Sequence, residues 1–88
     1  LSAAEQAVIW GRLAKAARLL ARSSPVGVVL RRSDTGESAV ATSGMPAVTL
    51  TGEPLELLLR LYGRRAVILD VEGPDDAVQR FESASFGV

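Results

Sequence analysis

The segment from Thr51 to Arg65, TGEPLELLLRLYGRR, constrains this chain more than any other. It reads as a short helix with both ends marked. Gly52 and Pro54 stand where a helix begins, and proline at the first helical position loses no hydrogen bond. Gly63 stands where a helix ends, able to take the left-handed conformation that closes the last turn. Between them lie Leu55, Leu57, Leu58, Leu59, Leu61 and Tyr62. On a helical wheel they cover an arc of roughly 200°, wider than the stripe of about 100° that one core face needs. Glu56 and Arg60 are the polar residues among them, spaced for an i,i+4 ion pair with the acid first. The helix is therefore expected to be packed on more than one side.

That demand must be met within 88 residues, the length of one small domain. Hydrophobic residues make up 48% of the chain but aromatics only 5%, so the core has to be aliphatic. The net charge of zero gives no broad attraction to nucleic acid or to an anionic membrane. Charge is nevertheless unevenly spread. The half up to Gly44 holds Arg12, Lys15, Arg18, Arg22, Arg31 and Arg32 against Glu5, Asp34 and Glu37, and the remainder is acid-rich. The absence of cysteine fits a reducing compartment such as the cytoplasm. No apolar run approaches the ~18 residues of a membrane span, and no signal peptide is visible. The chain opens on Leu1, not Met, directly into a helix, as expected of a fragment of something longer.

Ser2 to about Ala21 reads as the longest helix, opened by the capping box Ser2-x-x-Glu5 and rich in alanine. Ile9, Leu13, Ala16, Ala17 and Leu20 share one face, with Trp10 at its edge. Arg12, Lys15, Arg18 and Arg22 lie opposite, as a solvated face or a partner surface. Val26–Ser33, Glu37–Thr42 and Ala47–Thr51 read as three strands, joined by turns at Asp34-Thr35-Gly36 and Ser43-Gly44-Met45-Pro46. After the central helix, Ala66–Glu72 reads as a fourth strand. Gly73-Pro74-Asp75-Asp76 opens a last helix, its two acids favoured by the helix dipole, with Ala77, Val78 and Phe81 on its apolar side. Phe86 is expected to fold back onto the core. The order α-β-β-β-α-β-α predicts a single α+β domain over residues 1–88. Its expected sheet is mostly antiparallel, ordered 3-2-1-4, with the fourth strand brought parallel to the first by a right-handed crossover.

The residue inventory narrows the chemistry. With neither histidine nor cysteine, the commonest zinc ligands and the usual general base are missing. The acids Asp70, Glu72, Asp75 and Asp76 could form a carboxylate-only site, but a helix start accounts for the last two. No metal or cofactor site is expected in this chain. Asp34-Thr35-Gly36 matches the aspartic-protease motif in letters, yet a hairpin turn explains it fully. On that reading Gly36 needs a positive φ and Asp34→Asn is nearly silent. Arg64 and Arg65, just past the Leu-rich helix, can complement its dipole, or one guanidinium can reach a carboxylate ligand or a neighbouring domain.

The run AVTLTGEPLELLLRLYGRRA, followed by VEGPDDAVQRF, resembles the C-terminal domain of the mycothiol-dependent maleylpyruvate isomerase family and its actinobacterial relatives. The opening GRLAKAARLLARSSPVGVVLRRSDTGE also looks like those relatives whose metal binding is inferred. The sequence departs from the pattern at Glu53 before Pro54, and at Tyr62 where Trp is more usual. The resemblance implies a sterol-carrier-like α+β fold. It also implies an N-terminal helical domain that carries a divalent metal, with mycothiol as the thiol. An arginine of the C-terminal domain would then help to hold a small-molecule substrate, and by motif position Arg64 or Arg65 takes that part. Leu57, Leu58, Leu61 and Tyr62 would form the interface to the N-terminal domain, or to a second copy in a homodimer. The chain alone would be inactive, an accessory domain of an isomerase or transferase. The other reading is a sterol-carrier-like module holding a small apolar ligand between sheet and helices, although so short a chain leaves little volume once its core is packed.

Overall fold

A computed structural model describes residues 2–84. The elements run α1 (Ala3–Leu20), β1 (Gly27–Arg32), β2 (Ser38–Thr42), β3 (Ala47–Gly52), α2 (Pro54–Leu61), β4 (Leu69–Glu72) and α3 (Asp75–Ser83). The α+β class and the order of elements are those expected. Phe86 lies outside the described residues.

The helix ends follow the local chemistry. The Ser2 hydroxyl accepts from the Glu5 amide at 3.2 Å, and the Glu5 carboxylate accepts from the Ser2 amide at 3.1 Å. That bond from the Ser2 backbone holds the Glu5 carboxyl below its ordinary pKa. α2 begins with Pro54 at its first turn. It ends in a Schellman motif. Gly63, at φ +99°, lets its own amide bond to the Arg60 carbonyl and the Arg64 amide bond to the Leu59 carbonyl, both at 3.0 Å.

All the helices lie against one face of the sheet. Val28, Leu30, Val48 and Leu50 supply that face and are fully buried. α1 adds Trp10, Leu13, Ala17 and Leu20, α2 adds Leu57 and Leu61, and α3 adds Ala77 and Phe81, all in one continuous core. Each large aliphatic side chain so buried contributes about 1.5–3 kcal/mol. Trp10 sits inside the buried stripe of α1, not at its edge, and Ile9 is half-buried. The over-wide arc of α2 is partly absorbed by α1, which packs directly on it.

The strand order is β2-β1-β3-β4, in a mixed sheet. This corrects the expected 3-2-1-4, mostly antiparallel arrangement. β3 runs parallel to β1 on the side away from β2, with Val28 opposite Val48 and Leu30 opposite Leu50. β4 runs antiparallel to β3 and does not touch β1. Two local causes account for the change. Ser43–Pro46 is not a hairpin turn but a bridge that steps over the start of β1. The Gly27 amide donates to the Pro46 carbonyl at 2.9 Å, and a methyl group on Gly27 would collide with the carbonyl oxygen of Gly44. Further on, the excursion through α2 returns to the end of β3 it left, so no crossover forms. Glu56 fastens the return by accepting from the Ile68 amide at 2.8 Å, and Leu69 stands opposite Gly52. The strand itself is shorter than expected, since Ala66–Ile68 lie outside it.

Candidate functional site

The turn after α2 places the two arginines differently. Arg65 reaches across to α3, and its guanidinium donates to the carbonyls of Glu82 at 2.7 Å and Ala84 at 3.1 Å. These are carbonyls that a helix end leaves without an internal partner. Arg65 thus ties the end of α3 to the turn after α2. Arg64 is exposed, and among the described residues its guanidinium makes no hydrogen bond or ion pair. Tyr62, two residues earlier, is 53% exposed. The four residues expected at an interface separate in the same way. Leu57 and Leu61 are used up inside the core, Leu58 is half-buried, and Tyr62 offers surface.

Arg60, spaced in the sequence for an ion pair with Glu56, is instead buried and stacks on Phe81, 4.8 Å from the ring centroid, while Glu56 holds the Ile68 amide. Burial draws its pKa below the ordinary guanidinium value; the nearby charge of Arg65 pulls the same way, and Glu82 opposes both.

A second arginine cluster forms at the far end of β1. Arg32 falls in phase with Val28 and Leu30 and is buried, 5.9 Å from the centroid of Trp10. It donates to both carboxylate oxygens of Asp34, at 3.0 and 2.8 Å, and to Glu37 at 3.2 Å. The hydrogen bonds from Arg32 hold the Asp34 carboxyl below its usual range, and Asp34 in turn raises the Arg32 pKa. Asp34-Thr35-Gly36 is a turn, with Gly36 at φ +78° and its amide on the Arg32 carbonyl. Asp34 is nevertheless more than a turn former: the clamp on Arg32 needs its charge, so the expectation of a silent Asn replacement is revised.

A cleft of about 520 Å³ opens at the N-terminal end of α2. Ser33, Thr51, Glu53, Glu56, Ile68 and Asp70 line it. Two of its carboxylates are engaged. Glu56 holds the Ile68 amide, and Glu53 accepts from the side-chain amide of Gln6 at 3.0 Å. Arg64 and Arg65 do not line this cleft; they follow the C-terminal end of α2. Its acidic rim is unsuited to the carboxylate of a fatty acid. Among the described residues no group of three or more His, Cys, Asp or Glu stands together as a metal site.

In comparison with known proteins, the chain matches no family model, no curated protein and no solved structure. Among the described residues, no helix is long and apolar enough to cross a membrane.

Gln6 was not singled out in the sequence. It is buried on α1, and its carbonyl oxygen accepts from the Leu55 amide at 3.3 Å. It therefore caps α2 from another helix, where Glu53 makes no side-chain cap of its own. No local pattern marks such a residue. Arg32 did leave a signal: it continues the period-2 row of Val28 and Leu30 into the core.

Proposed function

We propose that this chain is an accessory domain of a cytoplasmic, metal- and mycothiol-dependent protein of the maleylpyruvate isomerase type. On this reading it is inactive alone, and it meets its own N-terminal metal-binding domain at the end of α2. Arg64 pairs there with a carboxylate of the small-molecule substrate, and Tyr62 and the exposed part of Leu58 line the contact. The observation that carries the proposal is the division of labour between the arginines. Arg65 is committed to the end of α3, whereas Arg64 projects from a Schellman turn with its guanidinium unengaged among the described residues. An arginine stays protonated and presents a planar fork matched to a carboxylate. The sequence resemblance supports the same position. The sterol-carrier-like alternative is less well supported, because the apolar side chains form one packed core and the cleft at the other end of α2 is lined by Glu53, Glu56 and Asp70.

The test uses the full-length protein. Arg64→Ala should raise KM for a carboxylate substrate about 10-fold, as expected when a charge-assisted bond is lost, without lowering the melting temperature. Arg65→Ala should lower the melting temperature, and Arg12→Ala on the outer face of α1 should do neither. Unchanged kinetics in Arg64→Ala would overturn the assignment.

A further inference from the structure

The face of the sheet away from the helices carries a pattern of its own. In the spatial order of the strands, the register sets Val40, Val29, Thr49 and Glu72 in one row. Ser38, Arg31, Thr51 and Asp70 form the next. The acids are confined to β4 at one edge, and the one base lies on β1. Arg31, Asp70 and Glu72 are exposed, and none of the three has a side-chain hydrogen bond or ion pair among the described residues.

The geometry points to a second copy of this chain as the occupant of this face, docked sheet to sheet about a two-fold axis parallel to the strands between β1 and β3. A two-fold contact must be self-complementary, and the charge pattern meets that condition in one orientation. Rotation about this axis keeps each row at its height and reverses the strand order. β1 then covers the partner's β3, and β2 covers the partner's β4. Arg31 lies one strand spacing, about 4.8 Å, to the side of the partner's Asp70, across sheets about 10 Å apart. A guanidinium on its long stem spans that gap, and the pair is made twice. Val29 meets the partner's Thr49 at the centre. The other in-plane axis, perpendicular to the strands, keeps the strand order. It would set Asp70 and Glu72 against the same acids of the partner, a like-charge contact that disfavours it.

The whole molecule has the same polarity. α1, which packs on β2, carries Arg12, Lys15 and Arg18 against Glu5, with Arg22 just past its end. The opposite edge strand, β4, carries Asp70 and Glu72, and α3, which packs on the neighbouring β3, carries Asp75, Asp76 and Glu82 against Arg80. Reversal of the strand order brings the basic side of each copy toward the acidic side of the other, which steers encounter. The face is small, roughly 15 by 15 Å from strand spacing and rise. That is well under the ~800 Å² per partner of a stable interface, so the dimer is weak and reversible. Arg64 lies after α2 in the helical layer, so the proposal stands or falls independently of the one above.

Sedimentation equilibrium tests it directly. The chain should show a weak monomer–dimer equilibrium, populated at about 1 mM, since so small a face falls below the standard interface size. Raising the salt from about 0.05 to 0.5 M should weaken it, because the pairs are at the rim and are screened. Arg31→Glu and Asp70→Arg, each checked by circular dichroism for an intact fold, should each weaken association at least ~10-fold through like-charge contact. The double variant reverses each pair and should recover the original constant to within about 3-fold. A chain that stays monomeric up to about 1 mM overturns the proposal. So does a dimer indifferent to Arg31→Glu, or a double variant that stays as weak as the singles.

Discussion

The two faces of this sheet are built from the same strands and behave as opposites. On the helical side Val28, Leu30, Val48 and Leu50 are fully buried beneath three helices. On the other side Val29, Thr49 and Thr51 are half-buried, and Val40 is 46% exposed. Alternation along each strand creates both faces at once, because successive side chains point to opposite sides. The difference is that one face is closed by this chain's own helices, and the other presents a charge gradient to whatever approaches. Stability should therefore respond to the covered face, and association to the uncovered one.

The comparison can be broken most sharply at Phe81. It is fully buried and carries Arg60 on its ring. Phe81→Ala should cost about 3–5 kcal/mol in chemical denaturation, the range for emptying a large aromatic site, enough to unfold a small domain. Val29→Thr on the open face should stay within about 0.5 kcal/mol, as for ordinary surface substitutions. A cost at Val29 comparable to that at Phe81 would mean that the open face is core.

A pair of glycines sharpens the point at the edge of the covered layer. Gly27→Ala drives a methyl group into the Gly44 carbonyl, where the bridge to β3 crosses β1. It should cost about 1–3 kcal/mol by overpacking. Gly11→Ala on α1 has nothing within 4 Å and should stabilise by up to about 1 kcal/mol through helix propensity. Equal melting temperatures in the two variants would refute the crossing.

The smallest effect concerns the clamp at the end of β1. The folded pKa of Asp34 is depressed by its bonds from Arg32. Its stabilising contribution is therefore complete above the ordinary Asp value of about 3.9 and is lost as pH falls through the lower folded value. Asp34→Asn should melt lower than the parent at pH 7, and the two should converge below about pH 4. A difference that persists in strong acid would assign the effect to the turn, not to the ion pair.

These tests follow the line between what was legible in the sequence and what was not. Ser2, Glu5, Pro54 and Gly63 act within one helical turn of themselves, and the structure places each helix end where those residues require it. Strand order is decided at longer range. Ser43-Gly44-Met45-Pro46 has turn chemistry whether it folds β2 back beside its neighbour or carries it over β1. The one local sign was Gly27, a glycine opening the apolar run Val28–Leu30, which marks a close approach of another backbone. β2, with two of its five residues exposed at Ser38 and Val40, suits an edge better than the interior position expected for it. At the candidate site, sequence motif singled out Arg64 and Arg65 together. Only the reach of Arg65 to the end of α3 separates them, a contact across 17 residues of chain.

The central claim is that the helix-covered face makes the fold and the uncovered face carries association. It is tested most directly by amide chemical shifts of the labelled chain, followed on dilution from about 1 mM to 20 μM, a range that brackets the weak-interface regime. The account predicts concentration-dependent shifts at Val29, Arg31, Val40, Thr49, Thr51 and Asp70, with Leu57, Leu61 and Phe81 unmoved. Shifts confined to the helical layer, or none at any concentration, would contradict it.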